Sequence, residues 1–296
     1  MKSGGGLKLL TLSQPCSYSS LTSPDLRHWA DQMRPYWDEQ RTGTDVPVHR
    51  KIWEWAFIAN ALDENDMLRP GRTGLGFGVG KEPLVPLFAS LGCHVVATDQ
   101  STDAAISAGW SGSNQFAGNL NSLNELGLCD QQLFESLVTF QTVDMREIPA
   151  DLKDFDFTWS SCALEHLGTI EEGIEFVLKQ MACLRAGGIA VHTTEFNISS
   201  NRSTVDAGPT VLFRKGDLER LSRLVKNNGD AVKLDFTLGS TEADNHIDRP
   251  PWSGAHLRLE HSGFVITSFG LVIRKGRGST KTPMSRMISR LSRTRW

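Results

Sequence analysis

Between His49 and about Leu68, residues Ile52, Trp55, Ala56, Ala59 and Leu62 recur at helical spacing, and Trp53 and Phe57 widen the apolar stripe. The pattern predicts a helix packed against a larger body and closed by Arg69-Pro70-Gly71. Beyond it, short apolar runs alternate with helical patterns, the signature of βαβ units in a parallel sheet. Strands are expected at roughly Thr73–Phe77, His94–Thr98, Leu137–Val143, Phe155–Ser160, Ile189–Thr194, Lys233–Leu238 and Phe264–Ile273. Helices are expected at roughly Glu82–Leu91, Thr102–Ala108, Ile170–Leu184 and Lys215–Asn227. The third helix is the best signalled. Thr169 and Glu172 form a capping box, Ile170, Ile174, Val177, Leu178, Met181 and Leu184 make the buried stripe, and Gly187-Gly188 ends it. Seven strands with interleaved helices predict an α/β protein: a Rossmann-like, doubly wound, mostly parallel sheet in a three-layer sandwich. Residues 1–48 are polar, with Gly4-Gly5-Gly6 and scattered Ser and Pro, and are expected to form a flexible or helical extension, the first twenty at least being flexible.

Composition narrows the class. The 296 residues are 39% hydrophobic and 8% aromatic, enough for a substantial core and against global disorder. No apolar run reaches the roughly 20 residues of a membrane-spanning helix, and Leu9–Leu12 is too short for a signal-peptide core. The five cysteines, Cys16, Cys93, Cys129, Cys162 and Cys183, contain no C-x-x-C pair, which favours reduced thiols over a zinc or disulfide framework. A soluble, cytoplasmic protein is expected. The net charge of −3 conceals a split: Arg274–Trp296 carries eight Lys/Arg and no Asp/Glu, so removing that +8 leaves −11 for residues 1–273. An acidic body argues against a nucleic acid gripped by the main domain.

Candidate chemistry begins at Gly74-Leu75-Gly76-Phe77-Gly78-Val79-Gly80, between the first central strand and its helix. Glycines at such a turn let backbone approach a ligand closely and leave helix amides pointing at it. Nineteen residues after Gly80 the next strand ends in Asp99, where a carboxylate accepts both hydroxyls of a ribose. The dinucleotide spacing fails, because the third glycine position falls on Val79 or Lys81. A P-loop fails too, because Gly80-Lys81 is followed by Glu82, which repels phosphate.

Taken together, the segment from Thr73 to about Asn197 resembles the class I S-adenosylmethionine-dependent methyltransferases (methyltransferase type 11/12-like). The resemblance rests on Gly76-x-Gly78-x-Gly80, on Asp99, on Asp144-Met145, on the run Phe155-Asp156 to Leu164-Glu165-His166, and on Leu184-Arg185-Ala186-Gly187-Gly188. The sequence departs from the family at Gly74, where an acid is usual, and at Ala186, where proline is typical. The resemblance implies S-adenosyl-L-methionine as cofactor, held by Gly76, Gly78, Gly80, Asp99, Gln100, Asp144, Met145 and Ser160. It also implies that residues 49–273 are the methyltransferase domain, with acceptor loops at about 197–214 and 239–257.

Methyl transfer is an in-line displacement, so the protein mainly aligns the partners, and a hydroxyl nucleophile also needs a base or a metal. His166 is the candidate base, with Glu165 orienting it; His192, Glu195 and Asn197 lie around the end of the fifth central strand, and a buried His192 is the commoner case for such a position. Some relatives, including ubiquinone-pathway and small-RNA 2′-O-methyltransferases, read Glu-x-x-Glu-His and place those side chains on a divalent metal. Here Cys162 stands first, so no metal ligand is assigned from that motif. Asp244-Asn245-His246-Ile247-Asp248-Arg249-Pro250-Pro251-Trp252 offers groups suited to a hydroxyl-rich substrate, and Asp244, His246 and Asp248 a weak metal pattern. The Asn197–Phe213 loop with Arg214-Lys215 is a candidate to close over the substrate, and residues 49–57, with Arg50, Lys51 and Trp53, read either as a helical lid or as a plain packing helix. In the tail, Met284, Met287, Ile288 and Leu291 follow helical spacing, as for an anionic membrane surface, RNA, or docking on the acidic body. The leading expectation is O-methylation of a polar small molecule or saccharide/glycan precursor. The alternatives are an RNA methyltransferase using the tail, and a non-catalytic binding protein on the same fold.

Overall fold

The apolar runs pair into one ten-stranded sheet in the computed structural model, which describes residues 10–38, 45–101, 103, 116–252 and 254–278. In chain order the elements are β1 (Gln14–Pro15), α1 (Tyr18–Leu21), α2 (Pro24–Gln32), α3 (Arg50–Glu64), β2 (Thr73–Phe77), α4 (Leu84–Ser90), β3 (His94–Asp99) and α5 (Gln131–Leu137). They continue with β4 (Val138–Thr142), β5 (Phe155–Ser161), α6 (Ile170–Gln180), β6 (Leu184–Asn197), α7 (Lys215–Asn227), β7 (Ala231–Val232), α8 (Glu242–Asn245), β8 (Ile247–Asp248), β9 (Arg258–His261) and β10 (Phe264–Arg274).

The strand order is β4-β3-β2-β5-β6-β10-β9-β8, parallel from β4 to β6, with β10 antiparallel to β6. The chain enters at β2, winds outward to β4, and returns to β5 on the other side of β2. The sheet is therefore doubly wound, with its switch point between β2 and β5, where ligands settle beyond the carboxyl ends of the strands. One apolar core joins α2, α3, α4 and α5 to one face through Trp53, Phe57, Phe88, Phe134, Phe157 and Trp159. A second joins α6 and α7 to the opposite face through Phe77, Ile174, Phe176, Leu221 and Phe269. Burying both faces explains why the central strands read as continuous apolar runs rather than alternating ones.

Several elements differ from the sequence expectations. β6 begins at Leu184, not Ile189, because Leu184 pairs with Phe155 across a register shift. Lys233–Leu238 forms no strand; Leu234 makes only a bridge to Ser13. The outer edge of β10 is shared instead by β9 at Phe264–Ile266, β1 at Phe269 and Gly270, and β7 at Ile273 and Arg274. Three short partners carry too little pattern to be read as strands. The flexible start expected for the first twenty residues is corrected from Leu10 onward: Leu10, Cys16 and Leu21 are buried, and the Ser13 hydroxyl accepts from Val272 N at 2.9 Å. The expected helix Thr102–Ala108 lies outside the described residues except for Asp103, and residues 1–9 and the tail from 279 onward lie outside them as well.

Candidate functional site

At the switch point, the loops after β2, β3, β4 and β5 surround a cavity of about 880 Å³. Gly78 and Gly80 are both left-handed, with φ of 56° and 52°. A Cβ on Gly78 would stand 2.9 Å from the Ala163 Cβ and 3.4 Å from the Met145 sulfur, so glycine is required there by conformation and by space. Asp99 ends β3 at the back of the turn. Its carboxylate accepts from the amides of Gly80 at 3.0 Å, Gln100 at 2.8 Å and Ala117 at 3.3 Å. Burial raises its pKa, against these three amide bonds, which lower it. Asp144 also lines the cavity, held by Arg146 at 2.7 Å; the hydrogen bonds from Arg146 draw its pKa below the usual carboxylate range.

A second cavity of about 240 Å³ adjoins the first, sharing Lys51, Cys162 and His166 as wall residues. His166 follows β5 in a short turn of 3-10 helix, Leu164–His166. Its Nδ1 lies 2.8 Å from the Pro209 carbonyl, which can only accept, so Nδ1 carries the proton and the lone pair of the neutral ring lies on Nε2. Burial lowers its pKa, opposed by the bond to Pro209. Glu165 is buried; one oxygen accepts from the Thr194 hydroxyl at 3.2 Å and the other has no hydrogen-bond partner. Burial, and then the Glu195 carboxylate, push its pKa up.

The amino-terminal turn of α3 supplies the cations of this region. Arg50 pairs with Glu195 at 2.6 Å and with Glu54 at 3.2 Å, and Lys51 pairs with Glu54 at 2.8 Å and Glu82 at 3.4 Å. Burial alone would raise the pKa of Glu54, but Lys51 and Arg50 outweigh it and hold it at about 2. For Glu82, burial wins over Lys51 and pushes the pKa up to about 7.

The sequence-predicted residues divide clearly. Gly78, Gly80, Asp99, Gln100, Asp144, Met145 and His166 line the large cavity, and Glu165 with His166 lines the small one. Gly76, Ser160 and His192, also expected at the site, line neither cavity. Gly76 serves packing: its Cβ position lies 2.5 Å from the Trp159 ring. Ser160 and His192 are fully buried and hydrogen-bonded to each other at 2.8 Å, and burial lowers the His192 pKa to about 3, so that ring is neutral. Ser161, one residue on, faces the cavity instead. Asp244 caps its own helix and accepts from Tyr18 N, Asp248 accepts from His256, and neither residue lines either of the two cavities, nor do His246, Arg249 and Trp252. Trp53 of the expected lid is fully buried, whereas Lys51 and Trp55 reach the cavity wall. Glu54 was absent from the sequence expectations, and Glu82 entered them only as a residue that repels phosphate; for Glu54 the signal available was an acid four residues after Arg50 on the same helix face.

No protein-family model matches the chain, and no relative is found among curated proteins. Several solved structures similar to it are methyltransferases. One from Galdieria sulphuraria, provisionally assigned as a sarcosine dimethylglycine methyltransferase, is 15% identical, covering 83% of this chain and 98% of its own at a TM-score of 0.49. An S-adenosylmethionine-dependent methyltransferase from Mesorhizobium loti is 14% identical, with coverage of 73% and 96% and a TM-score of 0.44. The magnesium protoporphyrin IX methyltransferase of Synechocystis, crystallised with bound SAH, is 12% identical, with coverage of 84% and 97% and a TM-score of 0.45. The strand order itself gives the Rossmann-like, doubly wound fold that the motif resemblance implied.

Proposed function

We propose that the protein is an S-adenosyl-L-methionine-dependent methyltransferase acting on an oxygen of a small polar acceptor, of which a saccharide or glycan precursor is the favoured class. The observation that carries this reading is the adjoining pair of cavities at the switch point. The larger has the left-handed Gly78 and Gly80 and the Asp99 carboxylate in its wall, and the smaller opens beside His166. When bound, the cofactor supplies an activated methyl group on its own leaving group. The chain's residues then have three tasks. Gly78 and Gly80 let the backbone approach closely, Asp99 accepts the ribose hydroxyls in place of its present amide contacts, and Met145 packs against an apolar face. In the smaller cavity, Glu165 and Glu195 orient acceptor hydroxyls by accepting hydrogen bonds. The Nε2 lone pair of His166 takes the hydroxyl proton as the oxygen bonds to carbon. The small volume, about 240 Å³, and the two carboxyl groups that accept from hydroxyls favour a small polyol over RNA.

Isothermal titration calorimetry with S-adenosylmethionine tests the reading. Asp99→Ala is expected to weaken binding about tenfold or more, since a charge-assisted hydrogen bond contributes about 1.5–3 kcal/mol. No binding at millimolar cofactor, or affinity untouched by Asp99→Ala, refutes it.

A further inference from the structure

We propose that Cys162, Glu165 and Glu195 form a binding site for a divalent metal of borderline softness, of the zinc or cobalt kind, at the inner end of the smaller cavity. One donor atom from each of the three residues lies within 4.8 Å of the others. Glu165 and Glu195 are 0% and 6% exposed, and each keeps one carboxylate oxygen, Oε1 of Glu165 and Oε2 of Glu195, without a hydrogen-bond partner. Both residues line the same cavity as Cys162. A buried carboxylate oxygen without a donor is costly, and the cost is removed by a ligand that brings positive charge.

Charge points the same way. Arg50 and Lys51 pair with Glu54, Glu195 and Glu82, which leaves the Glu165 carboxyl and the Cys162 thiol without a cation of their own. The two charges of a divalent ion are matched by the two protons that Glu165 and Cys162 release on binding it. The ion takes lone pairs from sulfur and two carboxylate oxygens, and the Cys162 proton, with that of Glu165, leaves to solvent. A thiolate in the set selects zinc-like ions over magnesium, whose ligands are oxygen alone. Cys162 is presented by a left-handed backbone, φ 45°, pinned where its amide donates to the Thr193 carbonyl at 3.1 Å. His166, in the wall of the same cavity, stands outside this set of three. The site stands whether or not the larger cavity holds a cofactor. With an acceptor hydroxyl as a further ligand, the ion would lower that hydroxyl's pKa beside His166.

The test is equilibrium dialysis of chelator-treated full-length protein against cobalt(II) chloride, without cofactor, followed by metal analysis and absorption spectroscopy. The expected result is one cobalt ion per chain with a thiolate-to-cobalt charge-transfer band, displaced by zinc. Cys162→Ser removes the band, and Glu195→Gln weakens cobalt binding about tenfold or more. Absence of cobalt uptake by the wild-type protein overturns the site. So does a band that survives in Cys162→Ser, since the remaining thiols, Cys16, Cys93, Cys129 and Cys183, are all buried elsewhere. Where Cys162→Ser fails to fold, Glu165→Gln serves, and undiminished cobalt affinity in it overturns the site equally.

Discussion

A single hydrogen bond fixes what His166 can do. Because the Pro209 carbonyl claims the Nδ1 proton, the basic nitrogen is Nε2. His166→Ala is expected to lower turnover by about 10²- to 10⁴-fold while leaving cofactor affinity nearly unchanged, in line with loss of a general base. Burial holds the His166 pKa below its ordinary value of 6.5, so the neutral, basic form persists below that pH. With cofactor saturating, the acid limb of the rate profile should therefore fall below pH 6.5, and a limb above that value under those conditions counts against this role. Glu82 titrates in the opposite sense. Burial lifts it to about 7, so it gains its charge as pH rises through neutrality at the wall of the large cavity. The sulfonium cofactor is a cation, so its affinity should increase across that rise. The neutral thioether product should show a weaker dependence, and Glu82→Gln should flatten both; calorimetry at a series of pH values distinguishes these outcomes.

At the scale of the element, β2 shows why position 74 holds a residue without a side chain. A Cβ on Gly74 would lie 2.4 Å from two ring atoms of Phe157 on the neighbouring strand, and one on Gly76 would strike Trp159. The two aromatic rings, with Phe88 edge-on to both at 5.6 Å and 5.0 Å, occupy the space that side chains on β2 would need. Gly74→Ala is expected to destabilise the protein by about 1–3 kcal/mol through overpacking, measured by urea unfolding. Cofactor affinity should change little, because Gly74 does not line the cavity. The sequence carried the glycines but not their different duties. G-x-G-x-G spacing is the same whether a glycine faces the cavity, as Gly78 does, or an aromatic ring from the next strand, as Gly76 does. The helix α6 was legible to its cap, where Thr169 accepts from Glu172 N at 3.1 Å, because capping and amphipathic spacing are local properties.

For the whole molecule, the amino-terminal segment closes the edge of the sheet. Pro15 pairs with Phe269, Cys16 N donates to the Ser268 carbonyl at 2.8 Å, and the Trp53 indole donates to the Ser20 hydroxyl at 2.7 Å, so the segment ties β10 to α3. Removing residues 1–22 is expected to lower the thermal midpoint and to promote aggregation through the exposed edge of β10, read by calorimetry and light scattering. The same tie holds α3 against the sheet, and α3 carries Arg50 and Lys51 to the cavities. The truncated protein should therefore lose affinity for the acceptor as well as stability.

The sequence by itself determined the doubly wound sheet, the turn after β2, the acid that ends β3 and the histidine after β5. These follow from periodicity, glycine conformation and position at a strand end, all encoded within a few neighbouring residues. Tertiary structure alone decided which side chains meet. Glu54 and Glu195 come together around Arg50 from α3 and β6, 141 positions apart in the numbering, as no local pattern records. It also set the alternation at the end of β5, which buries Ser160 with His192 and turns Ser161 and Cys162 toward the cavities. Charge pairing and the choice of strand face are settled only when distant segments compete for the same buried space.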